Sequence, residues 1–262
     1  MYIDAHTHLA KYEENLFEVL NEIEENEILT ISVSMDSFLF QKNLQIAETC
    51  KYVIPSFGIH PWSATHYSYK LGDLVESIKL APMIGEIGLD YYFVEEIEKY
   101  EHQKQVFEFI LQAAKEMNKI VNVHTKGAEA DVLQMLQTFE IERSIIHWYS
   151  GPIKLIDKFL ELGSYFTFGV ELLESKNISK IFKKIPNDRI LSETDNPGAW
   201  EWLKKEAGMP NLILNVVSKM AEFKQLSKDD MMLLIQKNFN TLIENDKNIP
   251  LSIKNLLSGK LY

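Results

Sequence analysis

Tyr2-Ile3-Asp4-Ala5-His6-Thr7-His8 is a short apolar run that ends in two histidines one residue apart. In an extended strand, residues two apart point to the same face, so His6 and His8 project together. Two neighbouring imidazoles suit one metal ion. Four more candidate ligands close other apolar runs far along the chain. Glu86 lies in Met83-Ile84-Gly85-Glu86-Ile87-Gly88-Leu89-Asp90, and His124 ends Ile120-Val121-Asn122-Val123-His124. His147 ends Ser144-Ile145-Ile146-His147, and Asp195 follows Arg189-Ile190-Leu191-Ser192-Glu193-Thr194. Only a fold that gathers several strand ends at one place brings these six residues together.

The rest of the chain alternates such runs with amphipathic stretches. Strands are expected at 2–6, 28–35, 52–59, 83–89, 120–124, 144–148, 164–169 and 189–194. Helices are expected at 13–25, 38–49, 70–79, 101–118, 128–138, 153–162, 174–184, 210–223 and 228–243. The stretch 101–118 is the clearest helix, with Val106, Phe109, Ile110, Ala113, Ala114 and Met117 at helical spacing. Alternating βα units predict a parallel sheet with right-handed crossovers. An open doubly wound sheet would place its site between a few strands at a switch point. Here the first, fourth, fifth, sixth and eighth runs all contribute, which favours a closed α/β fold, a single (β/α)8 TIM barrel. The 262 residues match the size of that fold. Residues 1–245 read as one hydrolase domain. The tail 246–262 carries Leu251, Ile253, Leu256, Leu257 and Leu261, and is expected to pack on the barrel exterior, where it offers a surface for a protein partner.

The net charge of −11 disfavours broad electrostatic capture of nucleic acid but leaves room for a metal-dependent nuclease, whose cations make the site locally positive. Cys50 is the only cysteine, so no intrachain disulfide is expected. No apolar run approaches the roughly 18 residues of a membrane span, and no secretory signal is seen. A cytoplasmic protein without membrane association is the expectation.

A carboxylate inside an apolar strand is costly unless paired or metal-bound, and its two oxygens let Glu86 bridge two cations. Each single histidine has an ordinary alternative as a packed core residue; the six together at strand ends do not. Asp90 is a weaker candidate, since an aspartate after Gly88 also suits a turn. His60, in Gly58-Ile59-His60-Pro61-Trp62, is expected to contact substrate phosphate. Aromatic residues cluster near the expected mouth: Trp62, Tyr91, Tyr92, Phe93, Trp148, Tyr149, Trp200 and Trp202. Of these, Tyr91 and Trp148 are the first candidates for contact with unpaired bases. His66 and His102 receive no role, and His102 is expected to face solvent.

Asp4-Ala5-His6-Thr7-His8-Leu9, Gly58-Ile59-His60-Pro61, Ile84-Gly85-Glu86-Ile87-Gly88-Leu89-Asp90-Tyr91 and Ser192-Glu193-Thr194-Asp195-Asn196-Pro197 stand in the order of a known pattern. In these the chain resembles the TatD-related deoxyribonucleases of the amidohydrolase superfamily, from about residue 1 to 244. The resemblance implies a barrel with two divalent metals at its C-terminal face and hydrolysis of phosphodiesters, often from the 3′ end of single-stranded DNA. It implies that His6, His8 and Asp195 hold one metal, that His124 and His147 hold the other, and that Glu86 bridges. A two-metal-activated hydroxide would attack phosphorus, with Asp195 as general base and Lys126 and His60 on phosphate oxygens. The cofactors expected are two divalent ions, Mg2+ or Mn2+ in activity, while the imidazole-rich donor set also suits Zn2+. Three departures surround the substrate rather than the metals. Lys126 stands where the family commonly has arginine, Trp148-Tyr149 where it has Cys-Phe, and Asn196 where it has a small residue. Lys126-Gly127 resembles TatD-like nucleases encoded beside anti-phage defence genes. The alternative enzyme is a metal-dependent amidohydrolase acting on a small amide or lactone. A third reading is a binding subunit that keeps the barrel.

Overall fold

The computed structural model describes residues 1–259. Its strands are β1 Tyr2–Thr7, β2 Ile28–Val33, β3 Val53–Phe57, β4 Met83–Gly88, β5 Val121–His124, β6 Ser144–Ile146, β7 Tyr165–Phe168 and β8 Ile190–Ser192. Each pairs in parallel with the next, in sequence order. The eight form a nearly closed barrel. Its last gap is spanned by Ser192 Oγ donating to the Ile3 carbonyl at 2.5 Å and by Asp195 N donating to the His6 carbonyl at 2.8 Å.

Strands in such a ring are covered on both faces, which explains their nearly continuous apolar runs. Ile28-Leu29-Thr30-Ile31-Ser32-Val33 is buried at every position. The helices are α1 Leu16–Glu25, α2 Ser37–Thr49, α3 Ala64–Tyr67, α4 Val75–Leu80, α5 Glu98–Glu116, α6 Glu129–Thr138, α7 Ile153–Glu161, α8 Lys176–Lys184, α9 Gly198–Lys204, α10 Leu212–Lys224, α11 Lys228–Ile243 and α12 Leu251–Leu257. Local chemistry sets several starts. Asp36 caps α2 by accepting Leu39 N at 2.8 Å, and Ser227 caps α11 by accepting Asp230 N at 3.1 Å. Asp230 returns no bond to the cap backbone; its carboxylate takes the Ser227 hydroxyl instead, at 2.6 Å.

Six of the eight expected strands run past the observed ones at their C-terminal ends, while β5 ends as expected and β1 runs one residue further. β6 stops at Ile146: the His147 N–H still donates to the Val123 carbonyl at 3.0 Å, and the chain leaves the ladder at Trp148, which adopts φ +39°. β8 stops at Ser192, ahead of Asp195 at φ +52°. The stretch 70–79 begins as a 3-10 turn, Leu71–Leu74, before α4. Helix α9 begins at Gly198, directly after Pro197, a pair that reads as loop in the sequence. The tail forms α12, whose Ile253 and Leu257 are buried while Leu251 is exposed. Leu261 and the rest of 260–262 lie outside the described residues. No described helix is long and apolar enough to cross a membrane.

Two glycines allow the strand ends to converge. A Cβ on Gly58 would fall 2.2 Å from the Glu86 carbonyl oxygen. At Gly88, with φ +140°, it would fall 2.0 Å from the His124 carbonyl oxygen. Glycine is what lets β3, β4 and β5 close around Glu86.

Candidate metal centre

Glu86 is buried on β4, and its two oxygens face two different groups of imidazoles. Oε2 lies 3.5 Å from Nε2 of His6 and 3.5 Å from Nε2 of His8. Oε1 lies 2.9 Å from Nδ1 of His124, 3.4 Å from Nε2 of His60 and 3.7 Å from Nε2 of His147. Asp195 closes the first group, with Oδ1 3.1 Å from His8 Nε2 and 3.7 Å from His6 Nε2. Its Oδ2 stands 3.9 Å from His147 Nε2. The six residues singled out at strand ends thus meet at one place, and His60 joins them.

Compact donor groups suited to a cation are His6-His8-Asp195, His6-Glu86-His147 and His60-Glu86-His124. The His6 Nε2 atom is buried without a hydrogen-bond partner. Such an atom is costly unless something binds it. Imidazoles and carboxylates converging at this spacing fit divalent cations of the zinc, manganese or iron type.

The far side of each ring tells which nitrogen is free to bind. Asn122 Oδ1 holds His6 Nδ1 at 2.9 Å, and Asn122 itself is tied to the Ala5 carbonyl at 2.8 Å. Glu193 Oε2 holds His147 Nδ1 at 2.8 Å. Asp90 Oδ2 holds His124 Nε2 at 3.0 Å. Each backing acceptor fixes a proton on one nitrogen and turns the other lone pair inward. His60 is the reverse. Its Nδ1 accepts the Trp62 backbone N–H at 3.2 Å, so in the neutral ring the proton sits on Nε2. His60 therefore presents a donor to Glu86 rather than a lone pair to a cation.

Burial disfavours charge on His6, but Glu86 and Asp195 outweigh it and raise the imidazole to about 9. Burial is likewise overcome at His124 by Asp90 and Glu86, again to about 9. His8 goes the other way, lowered to about 4 by burial and by Lys11. Burial also lowers His60. Against burial, His60, His6 and His124 hold the Glu86 carboxyl well below the usual range. The same contest takes Asp195 to about 2 through His8 and His147, and Asp90 to about 2 through His124.

Three residues with structural claims on this site drew no attention in the sequence. Glu193 is fully buried, and its Oε1 also accepts Trp148 N at 3.1 Å. Asn122 is fully buried. Asp4 accepts Thr194 N at 2.9 Å and Thr194 Oγ1 at 2.6 Å, and burial pushes its carboxyl up to about 7. Each stands two positions before a site residue, His124, His6 or Asp195, so the same alternation that pairs His6 with His8 points to them. Asp90 does more than cap a turn: besides His124 it takes Trp62 Nε1 at 2.8 Å and the backbone N–H groups of Tyr92 and Phe93.

The remaining residues fall around the rim. Lys126 is half-buried, with Nζ 2.9 Å from Ser150 Oγ and 5.3 Å above the Trp148 ring. Trp148 also donates its indole N–H to Glu171 and meets Trp202 edge-on at 6.1 Å. Tyr91 stacks on Tyr100 at 4.0 Å and donates to Asp131 at 2.9 Å, so its ring is already packed. Tyr149 is core, its hydroxyl on the Pro152 carbonyl. His102, in α5, does not face solvent freely; its Nδ1 pairs at 2.9 Å with Oγ of Ser68, the residue after α3.

Comparison with known proteins identifies the family of the chain. The family model described as TatD related DNase matches residues 3–244. The uncharacterized metal-dependent hydrolase YabD of Bacillus subtilis is 26% identical over 254 residues, covering 92% of this chain and 98% of its own. Human deoxyribonuclease TATDN3 is 29% identical over 212 residues, covering 74% of this chain and 77% of its own. Among solved structures, the TatD homologue YJJV of Escherichia coli superposes with a TM-score of 0.84 at 20% identity, covering 95% of this chain and 98% of its own. At that identity the likeness shows the fold.

Proposed function

Because the chain belongs to the TatD related DNase family and is by that membership a metal-dependent hydrolase, we propose that it removes nucleotides from the 3′ end of single-stranded DNA. The observation that carries the proposal is the division of one buried glutamate between two sets of imidazoles. His6, His8, Asp195 and Glu86 would hold one divalent cation, and Glu86, His124 and His147 a second. Bound there, two such cations supply Lewis acidity to a phosphoryl group and acidify an attacking water. Mg2+ and Mn2+ are the ions proposed for activity, with Zn2+ also suited to the donors.

The protein side of the reaction follows from the residues. The Asp195 side chain is the most exposed of the three carboxylates at the centre, Glu86, Asp90 and Asp195, at 17%. It stays ionised to low pH, which suits it to receive the proton of an attacking water. His60 offers its Nε2–H, and Lys126 its ammonium, to non-bridging phosphate oxygens. Lysine holds such an oxygen as a point charge, without the bidentate fork of arginine. The exposed rings of Trp62, Tyr92, Phe93 and Trp202 offer faces for unpaired bases, which supports a single strand over a duplex. The net charge of −11 further disfavours wide contact with duplex backbone. The likeness of Lys126-Gly127 to defence-associated nucleases is what supports a role against phage.

The test is incubation with 5′-labelled single-stranded DNA under Mg2+ or Mn2+, beside Asp195→Asn. Stepwise shortening from the 3′ end that the variant has lost is the expected result. Intact DNA with both metals would overturn the nuclease reading in favour of the amidohydrolase.

A further inference from the structure

A cleft of about 320 Å³ opens beside the metal centre, lined by Pro61, Trp62, Phe93, Val94, Glu96 and Lys99. Its two rings are half-exposed, Trp62 at 51% and Phe93 at 50%, with centroids 6.0 Å apart and planes at 79°. Adjacent aromatic rings left open in a contiguous patch suit a binding surface. The cleft is not floppy. The Trp62 indole N–H is fixed to Asp90 Oδ2 at 2.8 Å, and the Phe93 backbone N–H to Asp90 Oδ1 at 2.8 Å. One carboxylate thus holds both walls of the cleft and, through His124 Nε2 at 3.0 Å, a member of the metal centre. The Trp62 ring also meets His60 edge-on at 4.6 Å.

We infer that this cleft is the subsite for the base of the 3′-terminal nucleotide, the one released as a 5′-monophosphate. The inference rests on the nuclease reading above. A phosphate at the metal centre places an attached base only a few ångströms away, and the Trp62–Phe93 cleft is an open aromatic surface joined to that centre through Asp90. Its volume admits one purine or pyrimidine laid against the exposed surface of this edge-to-face ring pair. Glu96 and Lys99, paired to each other at 2.6 Å on the rim, offer an acceptor and a donor to the edge of a base. Stacking accepts every base, so the subsite predicts tolerance of sequence rather than selectivity. It also assigns the terminal base to Trp62 and Phe93 rather than to Tyr91, whose face is already covered by Tyr100. Trp148, on the loop after β6, and Trp202, in α9, do not line this cleft and remain available to the preceding nucleotide.

The test uses the metal-loaded protein and two probes, deoxyadenosine 5′-monophosphate and 2-deoxyribose 5-phosphate, which differ only by the base. Binding is followed by calorimetry and by tryptophan emission, with Trp62→Phe identifying the Trp62 signal. The wild type should prefer the nucleotide by at least about fivefold, the lower end for stacking one base, with quenching of Trp62. Phe93→Ala keeps the backbone bond to Asp90 and should bring the two probes within about twofold. Equal affinities in the wild type, no nucleotide binding at millimolar concentration, or a preference intact in Phe93→Ala would each overturn the subsite. Cleavage of single-stranded DNA by the same preparation separates the two levels of failure. Cleavage without a base preference removes the subsite and leaves the nuclease reading standing; no cleavage removes both.

Discussion

Glu193 holds Nδ1 of His147 at 2.8 Å from a position with no exposure to solvent. Its other oxygen takes the backbone N–H of Trp148, the next residue. One buried carboxylate therefore sets both the ring of a candidate metal ligand and the start of the loop that carries Trp148 to the rim. A buried carboxylate is tolerated only where the partners are good. Here they are two: the His147 ring and the Trp148 backbone N–H.

Replacing Glu193 should show first in metal binding. Glu193→Gln keeps the size but offers one acceptor oxygen in place of two and a weaker partner for His147. Loss of such a backing group typically costs about 10–100-fold in metal affinity. Titration of the metal-free protein with Mn2+ or Zn2+ should show that loss at one site, with the other retained. Unchanged affinity and stoichiometry would mean that Glu193 serves packing alone.

The pH dependence has a definite sign. His6 and His124, raised from 6.5 to about 9 in the metal-free fold, stabilise it fully below pH 6.5. That stabilisation is lost as pH rises through about 9. His8, lowered to about 4, acts oppositely but between pH 4 and 6.5. Metal-free protein should therefore melt at lower temperature at pH 9.5 than at pH 6.5. A cation needs neutral imidazole, so loading at pH 7 must expel the protons of His6 and His124, and affinity should climb with pH toward 9. Calorimetry in buffers of different ionisation enthalpy reads the release directly. Loading without proton release would contradict the assignment of these rings as ligands.

Trp148 gives a test of strand contact. Its ring lies under Lys126 and beside Trp202. Trp148→Ala should raise the apparent KM for single-stranded DNA by roughly fivefold or more, the worth of one stacked base. A small phosphodiester, which has no second base, should be hydrolysed as before. Equal losses on both substrates would show that the ring only packs the loop.

Much of this centre could be read from the chain because strand alternation is a strict rule. His6 and His8 satisfy it openly, and the six strand-end residues could meet only in a ring of strands. The same rule, carried two residues back, reaches Asp4 from His6, Asn122 from His124 and Glu193 from Asp195. These escaped notice because a lone polar residue in an apolar run also suits a solvent-facing position. Which strand it faces across the barrel is set by closure, and closure is not written in any local pattern. His60 shows a different limit. Its position was legible, but its role as donor depends on a backbone N–H from Trp62 that only the folded turn supplies. The helix α9 was hidden by Pro197-Gly198, which spell a loop even though Gly198 here begins a helix.

The tail provides the last prediction, and it separates docking from folding. Asp246 is fully buried and is bonded by Arg143 at 2.6 Å, while Arg143 also reaches Asn118. Asn248 bonds the carbonyls of Met117 and Asn118, at the end of α5, and Ile253 and Leu257 are buried. Burying such aliphatic side chains contributes about 1.5–3 kcal/mol each. Removing Arg143 would leave the Asp246 carboxylate without its ion-pair partner, a loss of about 3–5 kcal/mol. We propose that the tail is part of the fold rather than a free arm for a partner. Truncation after residue 245 and Arg143→Ala should both lower the melting temperature markedly. Arg143→Ala combined with Asp246→Asn should recover part of the loss, because the buried charge is then gone. A truncated protein that melts like the full chain, yet fails to recover a partner, would instead make the tail a docking segment.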